Sequence, residues 1–388
     1  MRVEQGVWRT GVGWTFDGVA GSEAPAEDPV ENSAVDWVLI FGSATRLSDA
    51  DALATLRRRY PEALFVGCST AGEIEDVYVH DGSLVATAVD FEATEVRGRR
   101  VEISGATGGR GAGEALVEAL SGPGLCHVLV LSDGLAVNGT ELVAGLTAKL
   151  PPGVSVSGGL AGDGEGLGRT SILFADQVEG GVVAGVGFYG DRLRVGCGSL
   201  GGWDPFGPER KITRSDGNVL YELDGQSALA LYKRFLGEKA AELPTSALLF
   251  PLSLRSPDGT SSGIVRTVLE VDENQQSMTF AGNLDEGWYA QLMKANFERL
   301  IDGAMGAAKI CADHHAEASQ LALLVSCVGR KLVLKQRIEE EVEAVREVLG
   351  AQPVLSGFYS LGEISPFSTG GPCELHNQTM TITTFAEI

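Results

Sequence analysis

Three glycine-rich segments hold the thiol, hydroxyl and carboxyl side chains that could do chemistry in this sequence. They read GCSTAGEI (67–74), SGGLAGD (157–163) and SGFYSLGEI (356–364). Hydroxyls and carboxylates grouped in this way can bind a small polar ligand, and a thiol or a pair of carboxylates can serve as nucleophile or as acid and base. The alternative is a structural role, because glycines make tight turns and such side chains also satisfy the amide groups of loops.

Each segment contains the end of a short apolar strand, and a second apolar strand lies upstream of it. The upstream strands begin in DWVLIFGSAT at 36, HVLVLSDGLAVNG at 127 and LALLVSCVGRK at 321, and a helical pattern separates the two strands of each pair. Strands that are apolar throughout are typical of parallel sheets that are buried on both faces. The spacing from the upstream strands to Gly67, Gly158 and Gly357 suits a crossover through one helix. The sequence therefore predicts three similar βαβ units in an α/β fold.

The third unit shows the helical pattern of its crossover most clearly. Ile338, Val342, Val345 and Leu349 recur at helical spacing, which predicts an amphipathic helix with these residues on its buried face. The intervening acidic residues are then expected to face solvent; they are Glu339, Glu340, Glu341, Glu343 and Glu347.

Strands with alternating apolar residues, and a middle region without the βαβ pattern, complete the predicted fold. SLVATAVDF, GGVVAGVGFYG and TMTITTF follow the three units and indicate further strands, so we expect mixed sheets. Residues 263–282 predict a hairpin around DENQQ, and residues 285–311 predict one long amphipathic helix. A crossing rich in proline and glycine at 203–225 favours two packed domains, residues 1–221 and 222–388.

The three segments are predicted to form a ligand site. Parallel α/β sheets usually bind ligands beyond the carboxyl ends of their strands, where these segments would lie. We expect a pocket between the two domains, where ligand binding can alter the relative position of the domains. The candidate ligand-binding residues are Cys68, Ser69, Thr70, Glu73, Gly158, Gly159, Asp163, Ser360, Glu363 and His376.

The composition of the chain disfavours some classes of binding partner. The chain has 388 residues, a net charge of −22 and a hydrophobic content of 44%. Such negative charge disfavours nucleic acid and anionic membrane surfaces, whose phosphates it would repel. No apolar run approaches the roughly 20 residues of a membrane helix, and the start shows no signal-peptide pattern. We therefore expect a cytoplasmic protein whose six cysteines are reduced thiols.

Motifs for catalysis and metal binding are weak. The sequence lacks the GxSxG elbow, the P-loop and GxGxxG. CADHH (311–315) and CELH (373–376) each bring two potential ligands together, which does not complete a four-ligand zinc site. Covalent c-type haem is excluded because CxxCH is absent. Non-covalent haem needs only one axial histidine in an apolar pocket, so it stays open.

Five histidines are available as haem ligands. His80 lies beside a predicted hairpin turn, His127 precedes an apolar strand, and His314 and His315 lie at the polar end of the long helix. His376 stands beside a glycine-rich segment in the repeat scheme and is the candidate axial ligand. The alternative is that His376 is hydrogen-bonded at the end of a strand.

Taken together, these segments resemble the FIST family. The resemblance rests on VLIFGSAT, FVGCSTAGEI, VSGGLAGD, GWDPFGPERKITRSDGNVLYELDGQSALALY and SGFYSLGEISPF with LHNQTMTITTF, and it extends from about Trp37 onward. It implies an N-terminal and a C-terminal FIST domain. It also implies an intracellular, non-catalytic sensor of signal transduction that binds a small ligand, for which amino acids are proposed.

The resemblance to this family allows two other interpretations of the function. Some bacterial members are described as haem proteins that sense nitric oxide and influence a partner histidine kinase, which implies a haem-based sensor as the second interpretation. The third is a hydrolase or transferase that uses Cys68 or paired carboxylates. The chain shows no recognisable output domain, so we expect it to signal through a separate partner protein.

Overall fold

Three mixed sheets, each built around one βαβ unit, and a fourth, antiparallel sheet make up the computed structural model of this protein. The structure describes residues 1–20, 35–103, 108–164, 168–259, 262–312 and 319–388. The predicted α/β class with mixed sheets is confirmed.

The first sheet surrounds the unit nearest the start of the chain. Its parallel strands β3 (Trp37–Gly42) and β4 (Leu64–Ser69) are joined through α1 (Ala50–Arg59), which begins where the Asp49 carboxylate accepts a hydrogen bond from the Ala52 N–H. The sheet order is β12-β11-β4-β3-β7-β1-β2. The other strands are β1 (Arg2–Arg9), β2 (Gly13–Ala20), β7 (Leu84–Asp90), β11 (Ile172–Phe174) and β12 (Gln177–Glu179).

The second sheet repeats this plan. Parallel strands β9 (Leu125–Ser132) and β10 (Ser155–Leu160) are joined through α3 (Gly139–Lys149), against which α2 (Gly108–Leu120) packs. The sheet order is β27-β26-β10-β9-β13-β8. The other strands are β8 (Glu95–Glu102), β13 (Val182–Tyr189), β26 (Gly362–Pro366) and β27 (Cys373–His376).

The third sheet has the same order of strands around the last unit. Parallel strands β24 (Leu321–Cys327) and β25 (Val354–Ser360) are joined through α6 (Val328–Leu334), a 3₁₀ turn at Lys335–Arg337 and α7 (Ile338–Leu349). The sheet order is β14-β28-β24-β25-β5-β6. The other strands are β5 (Glu73–Glu75), β6 (Tyr78–His80), β14 (Leu193–Leu200) and β28 (Met380–Glu387), and α5 (Phe297–Ala312) packs against α7 and β14.

The three sheets exchange hairpins. The hairpin after the first unit, β5–β6, adds to the third sheet; β11–β12 after the second unit adds to the first; and β26–β27 after the third unit adds to the second. One aromatic ring from each sheet meets at the centre, where the ring centroid of Trp37 lies 5.3 Å from that of Phe188 and 6.4 Å from that of Phe385. The exchange joins the ends of the three parallel pairs into one compact region.

A separate antiparallel sheet lies between the second and third units in the chain. Its core is formed with α4 (Ala228–Leu236) and two 3₁₀ helices, Gly237–Glu242 and Thr245–Leu249. The predicted boundary at residue 222 falls within one of its strands, and the division into residues 1–221 and 222–388 stays a prediction. The strands are β15 (Asp204–Pro205), β16 (Arg210–Asp216), β17 (Val219–Leu223), β18 (Gln226–Ser227), β19 (Leu252–Arg255), β20 (Ser262–Arg266), β21 (Val268–Asp272), β22 (Ser277–Phe280) and β23 (Tyr289–Lys294).

Two predictions about helices need correction. The hairpin predicted around DENQQ is confirmed as β21–β22, but the single helix predicted over 285–311 is wrong in its first half, which contains β23. The inward residues Ala290 and Leu292 alternate with more exposed ones, which is a strand period that the longer helical pattern obscured. In α7, Glu341 does not face solvent but is fully buried, because Arg330 pairs with it.

Candidate functional site

The glycines at the predicted site allow the parallel strands to approach closely. Each lies opposite a residue of the upstream strand and faces that residue's carbonyl oxygen. A Cβ atom would lie 2.0 Å from the Ile40 oxygen at Gly67, 1.8 Å from the Val130 oxygen at Gly158 and 1.9 Å from the Leu324 oxygen at Gly357. Side chains are therefore excluded at the same place in all three units.

The loops after the three second strands are hydrogen-bonded to one another. The Ser69 hydroxyl donates to the Gly162 carbonyl over 2.7 Å, and the Gly162 N–H donates back to the Ser69 carbonyl over 2.8 Å. The Ala71 N–H donates to the Tyr359 carbonyl, and the Leu361 N–H to the Leu160 carbonyl, over 2.9 and 3.2 Å. The structure thus brings the three segments together.

Glu73 is held in a closed network of hydrogen bonds. It is fully buried and accepts from the Thr70 hydroxyl over 2.6 Å. Its second oxygen accepts from the Ser83 N–H and the Ser83 hydroxyl over 3.1 and 2.7 Å. Burial raises the pKa of the Glu73 carboxyl, and these hydrogen bonds oppose that rise.

Glu363 has the same arrangement in the third unit. The Ser360 hydroxyl donates to one carboxyl oxygen over 2.8 Å, and the N–H and hydroxyl of Thr379 donate to the other over 3.2 and 2.8 Å. Burial raises the pKa of Glu363 to about 8 in spite of these donors. The carboxyl groups therefore anchor loops to the strands that follow them.

The second unit departs from this pattern. Asp163 accepts hydrogen bonds from the N–H groups of Gly168 and Arg169, so its carboxylate stabilises the loop to which it belongs. The anchoring carboxylate comes instead from Asp133, which accepts from the Gly181 N–H over 2.7 Å and from the Thr170 hydroxyl over 2.5 Å. Sequence reasoning missed Asp133, although the SDG motif after β9 placed a carboxylate at the end of a strand.

One cavity lies beside these loops. It has a volume of about 340 Å³, and its walls come from the first unit, from Gly164 after the second unit and from α6 of the third. Thr70 and Glu73 line it, together with Asp81, Val328, Lys331 and Leu332. Among the predicted site residues, the structure therefore places Thr70 and Glu73 at this cavity.

Lys331 supplies the positive charge of the cavity. Its ammonium group donates to the Ala71 carbonyl over 2.7 Å and forms an ion pair with Asp81. The Lys331 side chain is 17% exposed and that of Asp81 is 76% exposed, so the pair lies at the mouth of the cavity. Sequence reasoning missed both residues, because 250 positions separate them along the chain.

The other predicted site residues take part in packing and pairing inside the protein. Cys68 lies in β4 within the main hydrophobic core, and burial raises the pKa of its thiol well above the ordinary value, which disfavours a thiolate nucleophile. Gly159 lies opposite Glu363 in the pairing of β10 with β26. Ser69 joins the first two units, Gly158 allows the close approach of strands within the second, and Ser360 and Glu363 are hydrogen-bonded within the third. Their role in ligand binding stays a prediction.

His376 does not fit an axial haem ligand in this arrangement. Its ring is fully buried, and its Nε2 lies 2.8 Å from the Ser365 carbonyl oxygen, to which it donates. The Phe367 ring stands edge-on against it, with the centroids 4.5 Å apart. Burial lowers the pKa of His376 to about 4, so the ring is neutral. Haem binding itself stays a prediction.

Neither a metal cluster nor a membrane-spanning helix occurs among the described residues. No group of three or more His, Cys, Asp or Glu residues in this part of the chain is placed to hold a metal ion. His314 and His315, which were considered as haem ligands, lie outside the described residues. Among the helices that the structure describes, none has the length and apolar character needed to cross a membrane.

Comparison with known proteins connects this architecture to a family. The model of the FIST N domain matches residues 36–226, and the model of the FIST C domain matches residues 228–366. An uncharacterized protein of Methanocaldococcus jannaschii is 26% identical over 172 residues, which are 40% of this chain and 32% of that protein. The chain thus matches about a third of the length of this curated relative.

Proposed function

This chain belongs to the FIST family of signal-transduction sensor domains, and we propose that it senses a small zwitterionic molecule, such as an amino acid, in the cavity beside Lys331. The observation that carries the proposal is the ion pair of Lys331 and Asp81 at the mouth of a cavity of about 340 Å³. This volume suits a small ligand rather than a large cofactor.

The charges at the cavity fit the two ends of an amino acid. A ligand carboxylate takes the place of Asp81 on the Lys331 ammonium, which is a charge-assisted contact. The released Asp81 carboxylate is then free to accept from the ligand ammonium. Thr70 lies in the same wall, but its hydroxyl is bound to Glu73, so Lys331 and Asp81 are the groups that hold the ligand.

A structural change caused by ligand binding in this cavity can reach other elements of the fold. Asp81 belongs to the turn before Ser83, and Ser83 is bound to Glu73. The preceding strand β6 contacts α7, where the Val79 N–H donates to the Glu339 carboxylate over 3.3 Å. A change of the Asp81 turn therefore alters contacts of α7, and we propose that a separate partner, such as a histidine kinase, reads this change in the cytoplasm.

The test is a thermal-shift and calorimetric screen with the free amino acids. Wild type is compared with Lys331→Met and with Lys309→Met, a matched control at an exposed position of α5. We expect at least one amino acid to raise the melting temperature of wild type and of the control but not of Lys331→Met, because a ligand stabilises by mass action. Equal stabilisation of Lys331→Met would place the site elsewhere, and no response of wild type to any amino acid would contradict the ligand class.

A further inference from the structure

The cavity beside Lys331 has an apolar side as well as a charged one. Val328, Lys331 and Leu332 of α6 all line it. Because residues three and four positions apart lie on the same face of a helix, the lysine side chain stands beside two apolar ones. Val328 is half-buried, while Leu332, a large apolar side chain, is 53% exposed. An apolar group of a ligand in this cavity would shield Leu332 from water, which favours binding.

The fold fixes the ammonium group relative to this apolar side. A Cβ atom at Gly72 would lie 2.6 Å from Nζ of Lys331, and Gly72 has a φ of +147°, which other residues rarely adopt. The absence of a side chain there gives Lys331 room to donate to the Ala71 carbonyl. Its Nζ also stands over the Tyr359 ring, 5.6 Å from the centroid. A ligand carboxylate bound to Nζ thus places the rest of the ligand in a cavity with an apolar wall.

Among the described residues that line the cavity, none offers a free opposite charge to a charged ligand side chain. Glu73 is fully buried and accepts hydrogen bonds from Thr70 and Ser83. Lys331 and Asp81 are engaged by the carboxylate and ammonium groups of the ligand in the proposed function. Three wall positions carry no side chain; they are Gly72, Gly82 and Gly164. A charged ligand side chain would therefore lose part of its hydration without gaining a partner, which costs free energy.

We propose that this cavity selects amino acids with apolar side chains, and that Leu332, together with Val328, makes the selection. This selectivity rests on the proposed function, in which Lys331 and Asp81 hold the two charged groups of an amino acid. A branched apolar side chain such as that of leucine then packs against Leu332 and removes apolar surface from water. An acidic or basic side chain gains no such contact. Alanine, whose side chain is a single methyl group, depends on Leu332 far less.

Calorimetric titration of the full chain with leucine, alanine, aspartate and lysine tests the selectivity. Leu332→Ser removes the apolar side chain but keeps Lys331 and Asp81. Its matched control is Leu269→Ser in β21, since Leu269 is 52% exposed and does not line the cavity. Both positions are exposed, so we expect both variants to keep the melting temperature of wild type. Lys331→Met is included because it tests the proposed function separately from the selectivity.

We expect wild type to bind leucine roughly tenfold or more tightly than alanine, aspartate or lysine, because apolar contacts add to the affinity. Leu332→Ser should bind leucine about tenfold more weakly and alanine nearly as well as wild type does, while Leu269→Ser changes neither affinity. Aspartate or lysine bound as tightly as leucine would overturn the selectivity. An unchanged affinity of Leu332→Ser for leucine, or an equal loss for leucine and alanine, would overturn it too.

The proposed function and the selectivity fail in different ways. If Lys331→Met abolishes amino-acid binding while wild type does not discriminate among the four ligands, only the selectivity is wrong. If none of the four binds wild type, or if Lys331→Met binds them as tightly as wild type does, the proposed function is contradicted and the selectivity with it.

Discussion

Glu73 and Glu363 occupy matching positions in two of the three units. Each carboxylate accepts from a hydroxyl three residues earlier, and each accepts from both the N–H and the hydroxyl of the residue that precedes the next long strand. These two residues therefore link the end of the βαβ unit to the antiparallel strand beside it. Glu73 and Glu363 thus match in their hydrogen bonds as well as in their positions. Because these bonds hold the fold together, the carboxylates have a structural role that can be tested.

The first prediction concerns the pH dependence of stability. Burial raises the pKa of Glu363 from an ordinary 4.5 to about 8, so the folded chain holds this proton more tightly than the unfolded chain does. The contribution of Glu363 is then fully present below pH 4.5 and is lost as the pH rises towards 8. We expect the free energy of unfolding to fall by on the order of 3 kcal/mol between pH 5 and 8, and Glu363→Gln to remove most of this fall.

Urea unfolding at pH 5, 6, 7 and 8 measures this effect, and Glu387→Gln is the control. Burial acts to raise the pKa of Glu387, but hydrogen bonds from Glu92, Ala93 and Thr94 outweigh it and lower the pKa to about 2. The stability due to Glu387 is present above pH 4.5 and is lost as the pH falls towards 2. Glu387→Gln should therefore keep the slope of wild type between pH 5 and 8. The same slope in Glu363→Gln would show that Glu363 does not titrate there.

The second prediction concerns the three glycines that face carbonyl oxygens. Gly67→Ala, Gly158→Ala and Gly357→Ala each place a methyl group within 2.0 Å of main-chain oxygen, which cannot move without separating the strands. We expect each to lower the free energy of unfolding by roughly 3 kcal/mol or more, or to prevent folding. Gly122→Ala, where the nearest atom lies 3.6 Å away, should have little effect. Circular dichroism and urea unfolding give the comparison, and a mild effect at all three sites would contradict the close approach.

The sequence was sufficient to predict the parallel units but not their connections. Strands that are apolar throughout, separated by one amphipathic helix, identify a βαβ unit from local pattern alone. The exchange of hairpins depends on pairs such as Glu73 with Phe358, which lie far apart in the chain and leave no local periodicity. The β23 strand was predicted as helix for a related reason, since its short alternation merges into the pattern of α5.

The candidate site was predictable only in part. Thr70 and Glu73, which line the cavity, were predicted as site residues because hydroxyls and a carboxylate follow a strand end. Lys331 ends the LALLVSCVGRK segment and Asp81 lies at a predicted hairpin turn, and nothing local shows that the fold brings them together. The burial of Glu341 could not be predicted from its helix either, because its partner Arg330 belongs to the preceding helix.

The third prediction concerns the contact between the first two units. The Ser69 hydroxyl donates to the Gly162 carbonyl and accepts from the Ser171 N–H over 2.9 Å, and all of these atoms are away from solvent. Ser69→Ala leaves the Ser171 N–H without a partner, so we expect a loss of about 1–3 kcal/mol in the free energy of unfolding. Ser48→Ala, at an exposed position of the first unit, should change stability little. Urea unfolding of both variants measures the difference, and equal stabilities would argue against the contact.

The last prediction concerns the buried ion pair of Arg330 and Glu341. Both side chains are fully buried, with Nη2 of Arg330 2.7 Å from the carboxylate, and the guanidinium also donates to the carbonyls of Gly201 and Leu300. Removing one partner leaves the other charge buried and unpaired. We expect Arg330→Met to cost about 3–5 kcal/mol in the free energy of unfolding.

The double variant Arg330→Met with Glu341→Leu distinguishes the interaction between the two charges from the contacts that each charge makes with its surroundings. Because it removes both charges, we expect it to recover part of the loss. The rest remains, since the carbonyls of Gly201 and Leu300 lose their donor and the buried hydroxyls of Ser326 and Tyr359 lose Glu341 as their acceptor. Lys149→Met, which breaks an exposed pair with Glu118, should leave stability nearly unchanged. Urea unfolding of the single and double variants completes the cycle. If the two single losses simply add in the double variant, the charges do not stabilise each other in the folded chain.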